Sequence, residues 1–328
     1  MIDRCGMIGC MVAAALAVPA TFGVAQAQLK VDPKLPEYKA VQGVSGSLKS
    51  VGSDTMNYEM TLWAEGFLRF YPNVQIEIEG KGSSTAPVAL IAGTTQFGPM
   101  SRSMKSKEID DFKKKFGYPP SALPTSIDML AVYVHKDNPI KGLTFKEVDA
   151  IFSRTRKGGH KPVKTWGDLG LTGEWAAKPI ALYGRNAASG TYQYFREHAL
   201  FNGDYSPDVK EQPGSSSVVQ GVARDKYAIG YSGIGYKTAD VRAVPLSTED
   251  KSEFVPAEPN RAYAGDYPLA RQLLVYINHQ PGTSLDPLRR EFVRYIYSKQ
   301  GQADVIRSGY LPIGGRLASK SLESVGIK

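Results

Sequence analysis

Residues 183–195 read YGRNAASGTYQYF, a short apolar strand followed by a turn and an aromatic-rich helix. The turn carries Arg185, and Ser189, Gly190 and Thr191 open the predicted helix. A helix start presents unpaired N–H groups and the positive end of the helix dipole, so this junction is a candidate anion site beside a guanidinium. Taken alone, the pattern more often indicates an ordinary N-cap with a permissive glycine.

Two earlier junctions have the same composition of glycine followed by serine or threonine. Thr55 precedes a run of helical periodicity over 56–71, and Ser83 lies between an alternating strand over 74–78 and a helix over 86–92. If the three junctions converge, they supply hydroxyl and amide donors from several elements. Such a set of donors suits a tetrahedral oxyanion better than a flat or apolar ligand.

Strand and helix patterns alternate along the chain, which favours α/β lobes with parallel sheets and helices on their faces. The predicted strands cover 74–78, 97–100, 129–134, 180–183, 228–231 and 273–277. Thr144 and Glu147 form a capping box that opens a helix over 148–152, and a further helix is predicted over 288–296. Ligands of such folds bind beyond the carboxyl ends of the strands, where the three junctions lie.

Residues 1–27 form an apolar leader that ends in an A-x-A pattern, which predicts a cleavable signal peptide and an exported chain. A membrane anchor is the alternative, but Pro19 interrupts the apolar run and the cleavage pattern favours removal. Cys5 and Cys10 both lie in the leader, so the exported chain would contain no disulfide and no thiolate site. Residues 28–48 read as a polar extension.

The remaining length suits two packed domains rather than one. The chain has 40 Lys and Arg against 32 Asp and Glu, a net charge of +8. These basic residues are spread along the chain, which favours steering of a small anion over binding of nucleic acid. The four histidines show no metal-ligand spacing, so neither a metal site nor a cofactor is predicted.

Four motifs together resemble, in order and spacing, the phosphate-binding proteins of bacterial ABC-type phosphate importers. They are GSDTM at 52–56, GKGSS at 80–84, FGPMSR at 97–102 and RNAASGT at 185–191. The resemblance covers essentially the whole exported chain. It implies a two-lobed type II periplasmic-binding-protein fold, with a mainly parallel sheet flanked by helices in each lobe and the ligand between them. The expected lobes are 49–128 plus 273–328 and 129–272.

The resemblance also implies a set of phosphate contacts. Thr55 and Ser83 would donate hydroxyls, Met56 would donate its backbone N–H, and Arg185 would pair with the phosphate oxygens. From the helix start, the implied donors are Ser189, Gly190 and Thr191.

Two positions depart from the family pattern. Ser101 and Ala187 stand where well-known members have aspartates. In those members, the aspartate at the position of Ser101 accepts the proton of hydrogen phosphate. Because sulfate carries no proton near neutral pH, such a carboxylate rejects it. Asp128, predicted to lie where the chain crosses between lobes, is the candidate substitute, and Ser101 would then donate a hydroxyl to the anion. The alternative role of Asp128 is to hydrogen-bond the crossing segment; Arg102 would contact the anion or pair with Asp128.

These observations predict an exported, monomeric solute-binding protein, periplasmic and with an extracellular location also open. It would capture inorganic phosphate by closure of its lobes and deliver it to the permease subunits of an ABC importer. No catalytic residue, metal or nucleic acid is expected. The alternatives are a binder of another oxyanion, such as sulfate or arsenate, and an extracellular phosphatase. The phosphatase is disfavoured because no histidine or carboxylate cluster lies near the junctions. An adhesive role of the surface also stays open.

Overall fold

The computed structural model describes residues 29–249 and 253–327, so the predicted signal peptide lies outside the described residues. The strands are β1 Ser47–Val51, β2 Gln75–Glu79, β3 Phe97–Met100, β4 Ser121–Met129, β5 Ala131–His135, β6 Leu143–Thr144, β7 Ala181–Arg185, β8 Lys210–Gln212, β9 Ala228–Ser232, β10 Val241–Ala243, β11 Leu246–Ser247, β12 Ala270–Ile277 and β13 Leu311–Pro312. The α-helices are α1 Asn57–Leu68, α2 Thr85–Ala92, α3 Ser106–Phe116, α4 Phe145–Phe152, α5 Gly190–Ala199, α6 Ser215–Arg224, α7 Pro259–Ala264, α8 Pro287–Ile296, α9 Lys299–Arg307 and α10 Gly315–Glu323. Short 3₁₀ helices lie at Trp166–Leu169, Gly173–Trp175 and Ile234–Tyr236.

The strands form two main sheets, each flanked by helices, and this confirms the α/β two-lobed prediction. The first sheet has the order β13-β4-β12-β3-β1-β2 and the second has the order β10-β5-β9-β7-β8. The prediction of mainly parallel sheets is wrong, because both are mixed. β1 pairs in parallel with β2 and β3, whereas β12 runs antiparallel to β3 and β4.

The mixed character follows from the two segments by which the chain passes between the sheets. β4 leads through Leu130 directly into β5 of the second sheet, and β12 brings the chain back from α7. One strand leaves the first sheet and the other returns to it, so the two lie antiparallel and side by side. β4 extends past the lobe boundary expected after residue 128, and β12 extends past the boundary expected before residue 273. The division of the chain into 49–128 plus 273–328 and 129–272 stays a prediction.

Each lobe has its own apolar core. In the first lobe, helical spacing on α1 places Met60, Trp63 and Phe67 on one buried face, where they pack with Phe292 of α8. The second core gathers residues of β5, α4, α5 and β9. The predicted capping box of α4 is present: the Thr144 hydroxyl accepts from the Glu147 N–H at 3.2 Å, and the Glu147 carboxylate accepts from the Thr144 N–H at 2.8 Å.

The segment before β1 packs on the first lobe. Leu35 and Tyr38 are buried in the core of that lobe. The Tyr38 hydroxyl lies 2.9 Å from the hydroxyl of Tyr71 and donates to the fully buried Glu291 carboxylate at 3.1 Å. The segment is therefore part of the folded lobe, joined to it by apolar and polar contacts.

We expect Tyr38→Ala to lower the free energy of unfolding by about 3–5 kcal/mol, the usual cost of truncating a buried aromatic side chain. The buried Glu291 would also lose a donor. Urea unfolding followed by circular dichroism measures the loss. Tyr58→Ala, at a side chain 50% exposed, is the matched control and should change stability by less than about 0.5 kcal/mol. Equal effects of the two substitutions would contradict the packing role of Tyr38.

Glu59, in the first turn of α1, is completely buried and neither carboxylate oxygen has a hydrogen-bond partner. Burial raises the pKa of Glu59 to about 8; the nearby Ser126 hydroxyl lowers it in part, and the charge of Asp128 raises it further. The side chain is therefore mostly protonated at neutral pH. Its ionisation would place a second negative charge in the same interior region as Asp128.

Because the folded protein holds the Glu59 proton far more tightly than the unfolded chain, stability should fall as pH rises from about 5 to 8. At about 1.4 kcal/mol per pKa unit, this loss in the free energy of unfolding is on the order of 5 kcal/mol at most. Glu59→Gln removes the titrating group and with it the loss. Urea unfolding at several pH values should show a flatter profile for this variant. Glu65→Gln, on the exposed side of α1, is the control. Parallel profiles for Glu59→Gln and the parent would refute the assignment.

Candidate functional site

The three predicted junctions meet between the lobes. The Thr55 hydroxyl, just before α1, lies 2.9 Å from the Thr191 hydroxyl in the first turn of α5. Ser83, just before α2, has its hydroxyl 3.2 Å from that of Ser101, which follows β3. All four side chains are buried. Hydroxyls from four separate elements, three of them helix starts, thus line one interior position between the sheets.

Close approach of the lobes here depends on the absence of a side chain at Gly190. A Cβ at this position would lie 2.3 Å from the Ser83 hydroxyl oxygen and 2.7 Å from that of Ser101. Nearby, the Ser84 N–H donates to the Ala188 carbonyl of the other lobe at 3.1 Å. The structure therefore shows the lobes closed against each other, and any side chain at 190 would force Ser83 and Ser101 to shift.

The start of α5 is both an N-cap and part of the cleft. The Ser189 hydroxyl accepts from the N–H groups of Thr191 at 3.1 Å and Tyr192 at 3.4 Å. In the other lobe, the predicted donor Met56 N–H is directed to the Ser53 carbonyl at 3.2 Å. The Ser53 hydroxyl in turn donates to Ser101 at 3.1 Å. The first-lobe loop before α1 is thus internally hydrogen-bonded.

Arg185 ends β7 with its side chain 1% exposed. Its guanidinium donates to the Ser215 hydroxyl at 2.7 Å and the Pro213 carbonyl at 3.1 Å, and it lies 3.2 Å from the Asp54 carboxylate. Its Nε has no hydrogen-bond partner. Burial lowers the pKa of Arg185 and the charge of Asp54 opposes that change. The guanidinium therefore keeps a buried, unused N–H.

Asp54 is a site residue that the sequence analysis did not identify. One carboxylate oxygen lies 3.2 Å from Arg185 and accepts the Ser215 N–H at 2.8 Å, so Asp54 joins the first lobe to the second. It supplies from across the cleft the carboxylate that Ala187 does not provide beside Arg185. The available signal was its position inside the GSDTM motif, one residue before Thr55.

The loop of Asp54 and Thr55 is also held by tyrosines on both sides of the cleft. Tyr236, in the 3₁₀ helix after β9, donates its hydroxyl to the Asp54 carbonyl at 2.8 Å. Tyr310, just before β13, donates to the Thr55 carbonyl at 2.8 Å. Hydroxyl donors from both lobes thus fix the backbone that carries these two side chains.

Asp128 accepts hydrogen bonds from groups other than the hydroxyls of Thr55, Ser83, Ser101 and Thr191. Its Oδ2 accepts from Nη2 and Nε of Arg271, at 2.7 and 3.0 Å, and its Oδ1 accepts the Ile234 N–H at 2.9 Å. Both oxygens are thus engaged at the crossing between the sheets. This geometry favours the second interpretation given above, in which Asp128 hydrogen-bonds the crossing segment.

Pairing of Arg102 with Asp128 is wrong. The Arg102 guanidinium makes two 2.7 Å bonds to the Glu108 carboxylate, which also accepts the Lys105 N–H at the start of α3. Glu108 is brought within reach because it lies in the first turn of the helix that directly follows Arg102. Arg102 therefore braces the loop into α3.

The partner of Asp128 is Arg271 on β12, which the sequence analysis also missed. Its Nη1 donates to the Ser101 carbonyl at 2.9 Å and its Nη2 to the Thr191 hydroxyl at 2.8 Å. An arginine two residues before the apolar strand predicted over 273–277 was the signal available in the sequence. Its role depends on strands that are distant along the chain.

Within the described residues, no three His, Cys, Asp or Glu side chains are arranged to hold a metal ion. None of the helices in that part of the chain is long and apolar enough to cross a membrane. What the site offers chemically is a set of hydrogen-bond donors around Arg185.

The chain is similar to characterised binding proteins along most of its length. A PBP superfamily domain matches residues 39–300. The phosphate-binding protein PstS of Pseudomonas aeruginosa is 54% identical over 318 residues, covering 97% of this chain and 98% of that protein.

Solved structures agree in fold. A substrate-binding protein from Clostridium perfringens, solved with bound phosphate, has a TM-score of 0.69 and 25% identity, covering 81% of this chain and 99% of that one. An ABC-type phosphate transport receptor from Vibrio cholerae has a TM-score of 0.62 and 20% identity, covering 81% of this chain and 100% of that one. Together with the domain match and the identity to PstS, this shows that the chain belongs to the PstS family of phosphate-binding proteins, within the PBP superfamily.

Proposed function

We propose that this protein captures inorganic phosphate between its lobes and delivers it to the membrane permease of an ABC-type importer. The observation that carries the proposal is the meeting of three helix starts from two lobes, with their hydroxyls buried and with Arg185 held by Asp54, the residue before Thr55. Helix starts and hydroxyls donate hydrogen bonds in several directions, as a tetrahedral oxyanion requires. The 54% identity to PstS supports the same ligand.

The phosphate contacts would come from both sides of the cleft. From the first lobe we propose Thr55, Ser83, Ser101 and the N–H of Met56, which would turn from the Ser53 carbonyl to the anion. From the second we propose Arg185, Ser189, Gly190 and Thr191. The unpartnered Nε of Arg185 is a donor for the anion. Asp128 stands outside this set, because Arg271 and the Ile234 N–H engage both of its oxygens. Arg102 also stands outside it, because its terminal nitrogens bond Glu108 and its Nε alone has no hydrogen-bond partner.

The anion would be held mainly by dipoles. Each arginine of the cleft already has a carboxylate: Asp54 for Arg185 and Asp128 for Arg271. The charges of these pairs cancel, so binding depends on hydrogen-bond donors that are arranged in advance. Such a site distinguishes hydrogen phosphate from sulfate, because only hydrogen phosphate carries a proton that a carboxylate of the site can accept. Asp54 is the carboxylate best placed to accept the proton of hydrogen phosphate.

Closure would couple binding to transport. Interlobe bonds such as Thr55 to Thr191 and Asp54 to the Ser215 N–H form only when the lobes meet. A ligand that bridges the lobes shifts the population toward this closed form, which the permease would recognise. We propose that the protein acts as an exported, periplasmic monomer and breaks no bond of its ligand.

Isothermal titration of ligand-stripped protein tests the function. We expect phosphate to bind with one-to-one stoichiometry, and sulfate to bind about 10⁴-fold more weakly because its oxygens cannot satisfy a carboxylate acceptor. Failure to bind phosphate would overturn the proposal. Release of phosphate from a phosphomonoester by the purified protein would instead favour the phosphatase.

Competition between phosphate and sulfate identifies the carboxylate that sets selectivity. We expect Asp54→Asn to reduce the preference for phosphate on the order of 100-fold, because an amide can donate to sulfate and no longer repels it. Asp128→Asn should keep the preference of the parent, although its affinity should fall. If Asp128→Asn loses the preference and Asp54→Asn keeps it, Asp128 is the proton acceptor and our assignment is wrong.

A further inference from the structure

Arg271 contacts three separate parts of the fold. All three nitrogens of its guanidinium donate: Nε and Nη2 to Asp128 on β4, Nη1 to the Ser101 carbonyl after β3, and Nη2 to the Thr191 hydroxyl on α5. Its side chain is 2% exposed. It therefore connects the first sheet to the helix start of the opposite lobe.

The bond to Thr191 constrains the direction of that hydroxyl. A guanidinium only donates, so Thr191 must accept from Arg271 through one lone pair of its oxygen. The Thr55 hydroxyl lies 2.9 Å from the same oxygen. If Thr55 donates, Thr191 has both lone pairs filled and its own proton points elsewhere. If Thr191 donates, the proton of Thr55 is the one left over.

In either arrangement the pair of threonines has one hydroxyl proton left for an acceptor. When Thr191 is the donor, the hydrogen bonds run in one direction, from Arg271 through Thr191 to Thr55 and outward. Successive donors polarise each other, and each becomes a stronger donor than it is alone. The natural end of such a chain is an acceptor that has no proton at that point, such as an unprotonated oxygen of an oxyanion.

We propose that Arg271 is a positioning residue for the anion site, which acts through Thr191 by setting its hydroxyl as a donor. This rests on the proposed capture of a tetrahedral oxyanion. Arg271 need not touch the ligand: by filling one lone pair of the Thr191 oxygen, it directs the remaining hydrogen bonds of the Thr191–Thr55 pair away from itself and toward the anion.

Two neighbours keep the guanidinium in this position. Asp128 lies opposite Arg271 in the antiparallel register of β4 and β12, so the ion pair forms across the two strands that connect the lobes. On the other side, the guanidinium carbon lies 5.2 Å from the ring centre of Tyr194, whose hydroxyl donates to the Ala270 carbonyl at 3.0 Å. Tyr194 is one helical turn after Thr191, so the same face of α5 contacts both sides of the arginine.

A double-mutant cycle on phosphate affinity tests the proposal. Removing Arg271 alone would leave Asp128 as an unpaired buried charge, so Arg271→Gln is combined with Asp128→Asn. Thr191→Val removes the hydroxyl at nearly constant shape, and Thr191→Ser retains it. Each variant is titrated with phosphate, arsenate and sulfate, and its folding is checked by thermal unfolding. Arg242→Lys, at a half-buried arginine that donates to backbone carbonyls of Asn138 and Ile140, is the control and should bind as the parent does.

We expect Thr191→Val to weaken phosphate binding roughly 30-fold in the parent. In the Asp128→Asn, Arg271→Gln background the same change should cost about threefold, because the hydroxyl is no longer oriented there. Thr191→Ser should keep near-parent affinity in the parent and show the same coupling to the double change. Arg271→Lys, which preserves the charge, should recover part of the loss and serves as the second variant if the neutral pair is unstable.

The outcomes separate this proposal from the function on which it rests. Equal costs of Thr191→Val in both backgrounds, with phosphate bound by the parent, overturn the positioning role and leave the function intact. Coupling observed with sulfate in a protein that does not bind phosphate overturns the function and supports the positioning role. A parent protein that binds none of the three oxyanions overturns both.

Discussion

The buried ion pair of Asp128 and Arg271 is the interaction around which the two lobes are arranged. It joins β4, by which the chain leaves the first sheet, to β12, by which it returns. Two charges removed from water gain little net stability, because desolvation offsets most of their attraction. What the pair does provide is a geometric requirement. Asp128 must also reach the Ile234 N–H, and Arg271 must also reach Ser101 and Thr191, so one register of the crossing strands satisfies both members of the pair.

The other buried charges of the cleft are also paired or neutralised. Arg185 has Asp54 as Arg271 has Asp128, and Glu59 nearby has its pKa raised by burial so that its proton is retained near neutral pH. A second ionised carboxylate beside Asp128 would compete with it for Arg271. An anion that enters the cleft therefore meets neutralised charges and a surplus of donors. Affinity for it depends on how well those donors are held in advance.

Preorganisation of the donors comes from both lobes. Ser189 caps α5 while lying at the cleft, and Tyr236 and Tyr310 hold the backbone before α1 by hydroxyls that donate from opposite sides. Gly190 allows the opposing hydroxyls to approach more closely than any side chain would permit. These features belong to the closed form, so the same contacts that shape the site also stabilise closure.

Several helices and strands of the structure could be predicted from the local sequence pattern. The helices after Thr55, Ser83 and Ser189 were predicted because N-cap chemistry and apolar spacing are properties of a few neighbouring residues. The strands over 97–100 and 228–231 were predicted for the same reason and match β3 and β9 closely. By contrast, β1 was missed, as was β4 before Met129, and the sheets were expected to be mainly parallel. Strand direction depends on partners far apart in the chain, such as β12 beside β4.

The partners of charged groups show the same division. The sequence by itself determined that Arg185 stands before a helix start and that Ala187 leaves it without a neighbouring carboxylate. Only the tertiary structure decided that Asp54 replaces that carboxylate from the opposite lobe, that Arg102 pairs with Glu108, and that Asp128 pairs with Arg271. The physical reason is that helix starts and caps are set by adjacent residues, whereas an ion pair forms with whichever opposite charge the packed chain brings within reach.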